Sequence, residues 1–322
     1  MPSEISRRTV LGAGAAFLAD PPAARPAAAD ETRPGKLTVC IFSKHLQFLE
    51  GEELAKAAAA IGFDGIDLTV RKGGHVAPER VRQDLPPLVA LIHRHGLATP
   101  MVTTDIVDAA TPFAEDILKT AADLGIRRYR WMPSGGFKYT AGTPYPAQLD
   151  GFKSRVAKLA ELNGRCGVGA MYHTHSGLNL VGSSIWDLYI LFKDLDPKLI
   201  GVNYDIGHAT VEGGFGGWIN SFRITGPHLR GIAVKDFRWA KNARGEWAVE
   251  WAPLGEGMVR FPQFFAMVKQ AGFDGPVQLH FEYPLGGAND GKRTITIPRD
   301  EVFAAMKRDL STLRGYMAAA GV

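Results

Sequence analysis

Five short stretches carry side chains that could do chemistry together. "YHTHSG" holds His173 and His175, "NYDIGHA" holds Asn203, Asp205 and His208, and "VKDFRW" holds Lys235 and Asp236. "QLHFEY" holds His280 and Glu282, and "RKGGH" holds Arg71 and His75. A mixed set of imidazole nitrogens and carboxylate oxygens favours a first-row divalent ion, Mn2+, Zn2+, Co2+ or Fe2+, over Ca2+. A lysine beside such an ion can serve as acid or base, or can anchor an oxyanion.

The spacing supports convergence. Side chains alternate faces along a strand, so His173 shares a face with His175, Asn203 with Asp205, Ala233 with Lys235, and His280 with Glu282. If these faces point into one interior, imidazoles, carboxylates, an amide and an ammonium meet there. Burying that mixture without pairing or metal is costly. Each residue also has a plainer role open to it. Asp205 can cap a helix, Glu282 can sit in a surface ion pair, and Lys235 can pair with Asp236. His173 can be a hydrogen-bonded core residue, and His280 can support a site without ligating.

The elements that must position these residues repeat one pattern: a short apolar run, a loop, an amphipathic stretch and a turn. The runs at 36–42, 65–70, 97–104, 127–132, 168–175, 199–205, 229–236 and 276–283 read as strands. Helical spacing follows at 52–63, ending on Gly62 as a C-cap, and at 78–96, interrupted near Pro86 and Pro87. It recurs at 112–126, 146–167 and 184–195, around Trp218–Ile224, then at 261–273 after a long loop, and at 299–320. Eight strand–helix units imply a closed (β/α)8 TIM barrel, a single α/β domain over residues 36–322. A doubly wound open sheet is the rival, but no strand is followed by a glycine-rich phosphate turn. In a barrel, chemistry belongs at the C-terminal strand ends. Ser43, Lys44, His45, Asp105, Arg130 and Trp131 also fall there, and Trp131, Phe237 and Trp239 suit stacking on the face of a ligand.

Composition excludes several classes. The chain has 322 residues, 46% hydrophobic and 22% charged, with a formal net charge of +4 and no basic block. That is a globular composition that gives no reason to expect a nucleic-acid partner. Cys40 and Cys166 have no metal-ligand spacing and read as core thiols. Arg7 and Arg8 precede an apolar run too short to span a membrane, as in a twin-arginine signal peptide over residues 1–29. The expectation is a protein exported to the periplasm, with no stable membrane span.

In this order, "YHTHSG", "NYDIGHA", "VKDFRW", "PLGEG" and "QLHFEYP" resemble the xylose isomerase-like barrel superfamily, over nearly all of residues 36–322. The resemblance implies a divalent metal held by a Glu ending strand five, an Asp ending strand six, a His on strand seven and a Glu ending strand eight. Asp205 and Glu282 match. The usual Glu-Asn-His at strand five reads His173-Thr174-His175, as in inosose dehydratase-like members, and the strand-seven histidine is Ala233. The implied ligands are therefore His173, Asp205, His280 and Glu282. His208 matches a histidine that contacts substrate in the epimerases.

The resulting expectation is a metal-dependent isomerase or epimerase acting on a non-phosphorylated carbohydrate or keto-sugar through an enediolate. Glu282, Lys235 and His175 are the candidate catalytic groups, and Arg71, His75, His208 and Trp239 the candidate substrate contacts. A lyase or dehydratase on the same substrates is the alternative, since the strand-five glutamate that epimerases use as a base is missing. A non-catalytic sugar-binding barrel is the rival from another class. The partner is a small-molecule carbohydrate, with a homo-oligomer left open.

Overall fold

The apolar runs become strands buried along most of their length, and the amphipathic stretches lay their apolar faces against them. The computed structural model describes residues 36–131 and 137–322. Its first half runs β1 (Val39–Phe42), α1 (Gly51–Ile61), β2 (Gly65–Val70), α2 (Val81–Arg94), β3 (Ala98–Thr104), α3 (Ala114–Asp123), β4 (Arg128–Trp131) and α4 (Tyr145–Cys166). The second half runs β5 (Gly169–His173), α5 (Trp186–Phe192), β6 (Ile200–Asp205), α6 (Ile206–Gly213), α7 (Gly217–Thr225), β7 (Leu229–Val234) and β8 (Asp236–Lys241). It ends with β9 (Trp247–Ala252), α8 (Phe261–Gln270), β10 (Val277–Leu279) and α9 (Arg299–Ala320).

Eight parallel strands close into one barrel in the order β1-β10-β7-β6-β5-β4-β3-β2, the expected single-domain (β/α)8 architecture. Strands β2 and β6 are buried at every position, as a sheet covered on both faces requires. Helix α1 shows how the outer ring packs. Leu54, Ala58 and Ile61 fall on one buried face, and Gly62 ends the helix at φ 107°, a left-handed cap that favours glycine. Cys40 and Cys166 are buried and unbridged.

Three local expectations change. Helix α2 runs unbroken through Pro86 and Pro87. The carbonyls that the two prolines leave unbonded belong to the exposed Arg82 and Gln83, where water can serve them, while Val81, Leu85, Val89 and Ile92 hold the buried face. A further helix, α6, starts directly from β6. The long loop after β7 is an antiparallel hairpin, β8 with β9, paired from Asp236↔Ala252 to Lys241↔Trp247.

The leader expected over residues 1–29 lies outside the described residues. Among the described residues, no helix is long and apolar enough to cross a membrane.

Candidate active site

Three strand ends build the centre. His173 closes β5, Asp205 closes β6, and His280 follows β10 with its N–H still bonded to the Val234 carbonyl at 3.0 Å. One ligand atom from each lies within 4.8 Å of the others, and all three residues are buried. Asp205 divides its oxygens. Oδ1 accepts from the His208 N–H at 3.0 Å and caps α6. Oδ2 is buried without a hydrogen-bond partner, 3.6 Å from His173 Nε2 and 4.0 Å from His280 Nδ1. Cap and ligand are therefore not competing roles for this residue.

Both ring nitrogens of His280 are also buried without partners. Orphaned buried polar atoms are costly and rare. These orphans form a compact nitrogen and oxygen donor set, which fits a divalent cation. Burial, reinforced by Arg130 and Lys235, holds His173 and His280 well below the ordinary histidine range. Both are neutral imidazoles, the form that can ligate. His173, Asp205 and His280 are thus positioned to chelate a divalent metal.

A polar layer supports the cluster from below. Asn203 Nδ2 lies 3.2 Å from His173 Nδ1 and donates to Gln278 Oε1 at 2.9 Å, while its Oδ1 is buried without a partner. An amide can turn over. With the Asn203 and Gln278 amides both turned, Asn203 Oδ1 accepts from His173 Nδ1–H and from Gln278 Nε2, and the His173 Nε2 lone pair is left facing Asp205. Gly231, paired with Asn203 in register, makes room for this amide, because a Cβ there would meet Asn203 Oδ1 at 2.9 Å. Ala233 stands beside Asp205 and Gln278 with no ligand atom to offer, and His280 supplies the second imidazole instead.

Lys235 follows β7 and enters the same space. Its Nζ lies 2.6 Å from His208 Nε2 and 4.6 Å from the centre of the Trp251 ring. It approaches Asp205 Oδ2 at 3.1 Å as an ion pair without hydrogen-bonding geometry. Burial first, then Lys235, keeps His208 neutral. With Lys235 donating to Nε2, the His208 proton sits on Nδ1 and faces Ser176 Oγ at 2.7 Å. Gly207 permits this packing, since a Cβ there would lie 2.7 Å from Lys235 Cγ. The His175 ring lies 3.7 Å from that of His208. Its Nδ1–H donates to the Ser176 carbonyl at 2.7 Å, leaving Nε2 as an acceptor, and burial lowers the ring to about 4.

These groups open on a cavity of about 270 Å³ at the C-terminal end of the barrel. Glu282 lines it opposite Lys44, 3.3 Å away. Burial alone would raise the Glu282 carboxyl, but Lys235, Lys44 and His45 overrule it and hold it down to about 2. Arg130 lines the cavity as well. Burial brings its guanidinium down to about 10, so it remains a cation at neutral pH.

Of the expected site residues, His173, His175, His208, Lys235, His280, Glu282 and Arg71 all face this cavity, over the buried Asp205. Glu282 stands outside the ligand cluster, however, because its carboxylate is drawn to the Lys44 ammonium. His75 is not among the lining residues. Its Nδ1 meets Thr69 Oγ1 at 3.0 Å and its Nε2 meets the Leu49 carbonyl at 3.1 Å, so it pins the base of the Arg71 loop. Trp239 is 41% exposed on the hairpin, edge-on to Phe237, and also misses the cavity. Trp131 is buried and donates to the Val107 carbonyl, and Phe237, at the base of the hairpin, is buried. Asp236 does not pair with Lys235. It accepts from the N–H groups of Phe237, Gly255, Gly257 and Val259, which ties "PLGEG" to β8.

Phe42, Lys44, Arg130 and Trp251 line the cavity without having been singled out as site residues. Lys44 and Arg130 stand at strand ends, where the barrel rule already points. Trp251 had one sequence signal, the alternation in "WAVEWA" that pairs with "DFRWAK".

The family model described as "Xylose isomerase-like TIM barrel" matches residues 55–300. A curated relative, uncharacterized protein MJ1311 of Methanocaldococcus jannaschii, is 24% identical over 127 residues, 39% of this chain and 40% of that protein. The chain therefore aligns with well under two thirds of that relative's length. Among solved structures, D-psicose 3-epimerase from Clostridium cellulolyticum H10 superposes with a TM-score of 0.63 at 13% identity, covering 87% of this chain and 99% of that one. The 3-keto-D-glucoside 4-epimerase YcjR from E. coli gives 0.60 at 15%, covering 87% and 100%. The xylose isomerase domain protein from Planctomyces limnophilus gives 0.57 at 16%, covering 82% and 91%. Identities this low speak for the shared fold alone.

Proposed function

The chain belongs to the xylose isomerase-like TIM-barrel family, and from that premise we propose that it is a divalent-metal-dependent isomerase or epimerase of a non-phosphorylated carbohydrate or keto-sugar. The observation that carries this is the buried His173–Asp205–His280 cluster, with both His280 nitrogens unpartnered and Asp205 Oδ2 met only by the Lys235 ammonium, beneath a small polar cavity. The likeness in fold to a 3-epimerase and a 4-epimerase of sugars supports the substrate class.

His173, Asp205 and His280 would hold a divalent ion, which when bound would supply Lewis acidity to make a C–H beside a substrate carbonyl more acidic. His175 is the group best suited to take that proton, being neutral and with Nε2 as acceptor. The Lys235 ammonium, already hydrogen-bonded to His208, is suited to return one. Glu282, held near 2, is a poor proton acceptor, and its pairing with Lys44 suits it to grip substrate hydroxyls. Trp251 covers Lys235 and His208 and keeps bulk water from them.

A β-elimination on the same substrates is the second reading. It is favoured by a specific feature: the cavity lining offers one carboxylate, Glu282, and that one is tied to Lys44. Export by the twin-arginine route, directed by Arg7 and Arg8, belongs to the same proposal.

The test is metal analysis of the purified protein, followed by incubation with keto-sugars in deuterated water with and without chelator. Metal-dependent deuterium incorporation beside the carbonyl with the carbon skeleton intact supports isomerisation, and an unsaturated product selects elimination. Exchange that survives complete metal removal would falsify both.

A further inference from the structure

Resting on the reading that this cavity binds a sugar, we propose that the sugar carries a carboxylate, as a uronic or aldonic acid does, and that Arg130 and Arg71 receive it in the cavity they share with the metal cluster.

The charges that line the cavity do not balance within the chain. Lys44 is matched by Glu282 and Lys235 by Asp205. Two guanidinium groups are left over. Arg130 is only 8% exposed, yet its Nε and Nη1 find no acceptor in the folded chain. A buried cation with unmade hydrogen bonds carries a large desolvation penalty. Asp67 favours the Arg130 charge but leaves those hydrogen bonds unmade. Both Asp67 oxygens accept from Thr103 Oγ1, at 2.9 and 2.8 Å, and no hydrogen bond joins them to Arg130. Arg71 makes no ion pair among the described residues.

The two guanidinium groups also converge. Arg130 Cζ lies 4.8 Å and Arg71 Cζ 5.4 Å from the centre of the same ring, Phe42. Cation–π contact with that ring holds both in place. Two like charges gathered over one ring repel unless an anion joins them. The Phe42 ring is also 5.0 Å from His280, so both guanidinium groups and a metal-cluster histidine pack against one ring. A sugar bound in this cavity would present its acid group to the arginines and its reacting carbons to the cluster.

The planar, two-oxygen carboxylate matches the flat fork of a guanidinium. A monoanion also suits a pair of cations of which one is already favoured by Asp67. A neutral sugar would offer the unpartnered Arg130 N–H groups no charged acceptor.

Calorimetric titration of the full-length protein with D-glucuronate, D-glucose and a hexose phosphate tests this, with metal loaded and with metal removed. Glucuronate is expected to bind roughly ten- to a hundredfold more tightly than glucose, the range of one or two charge-assisted hydrogen bonds. The preference should persist without metal, shrink in Arg71→Gln and vanish in Arg130→Gln. Arg71 stands half-exposed on a loop, so Arg71→Gln remains informative if the buried Arg130→Gln does not fold. Equal affinity for glucuronate and glucose overturns the proposal, as does a preference unchanged in Arg71→Gln or tighter binding of the hexose phosphate. A wild-type protein that binds no metal defeats the enzymatic reading instead, and the carboxylate preference of the metal-free protein still decides this one.

Discussion

Lys235 Nζ lies 3.1 Å from Asp205 Oδ2, the same oxygen that faces His173 Nε2 and His280 Nδ1. A fixed monocation thus stands beside the donor set that a dication would use. Like charges this close repel by several kcal/mol even at an effective dielectric of about 20. Lys235→Met keeps the apolar stem and removes the charge. It is expected to tighten metal binding about tenfold or more while lowering turnover, because the proton donor is gone. Competitive metal titration reads the first effect and steady-state rates the second. Weaker metal binding in this variant would show that Lys235 helps to hold the ion.

Asp205 offers a cleaner separation of roles. Asp205→Asn retains an oxygen to accept from the His208 N–H, so the α6 cap survives while the anionic ligand is lost. Asp205→Ala loses both. Metal content should fall sharply in each variant, whereas only the alanine variant should lose a further ~1 kcal/mol of stability in the metal-free state. Equal metal occupancy in wild type and Asp205→Asn contradicts the ligand assignment.

Asn203 touches no ligand-binding space yet braces His173. Asn203→Leu removes the partner of ring Nδ1 while keeping the volume. Metal affinity is expected to drop roughly ten- to a hundredfold, the usual cost of losing such a brace. Nitrogen NMR of the imidazoles in metal-free protein gives an independent readout, a redistribution of the His173 tautomers. An unchanged tautomer and unchanged affinity together would remove Asn203 from the site.

Stability of the metal-free protein should fall on mild acidification. His45 and His75 are buried as neutral rings, and burial lowers them to about 3 and about 4, while an unfolded histidine titrates near 6.5. The unfolded chain therefore takes up protons first. The contribution is intact above about pH 6.5 and is lost as pH falls toward the folded values, by up to about 1.4 kcal/mol per pH unit for each ring. His173, His175, His208 and His280 are shifted in the same direction. Asp67 and Asp187, raised by burial to about 7 and about 6, act in the opposite sense, because the folded form protonates first, as do Asp205, Asp236 and Asp309, also raised by burial. The six histidines outweigh these carboxyls. Urea unfolding at about pH 7 and about pH 5 should show the loss, and a protein more stable at the lower pH would contradict this balance.

Much of the site was legible before folding because it depends on local pattern. His173, Asp205 and His280 were marked by their places at the ends of apolar runs, and period two showed which neighbours share their faces, while the inward direction came from the fold. His75 and Trp239 were misplaced for one shared reason. Their neighbours in space, Leu49 for one and the hairpin strand β9 for the other, lie elsewhere in the chain. Pro86 and Pro87 misled because the cost of a proline in a helix depends on whether the freed carbonyls face water, and burial sets that.

The alternation of strands and helices, the closed barrel and the gathering of polar residues at one end follow from the sequence alone, since periodicity and chain order dictate them. Which polar groups meet was decided by the tertiary structure. Closure pairs β1 with β10 and brings Lys44 to Glu282 across 238 positions, which takes that carboxylate away from the metal cluster. The antiparallel hairpin after β7 folds Trp251 over Lys235 and His208. Charge pairing depends on distance and burial in three dimensions, and neither is a property of any single stretch of chain.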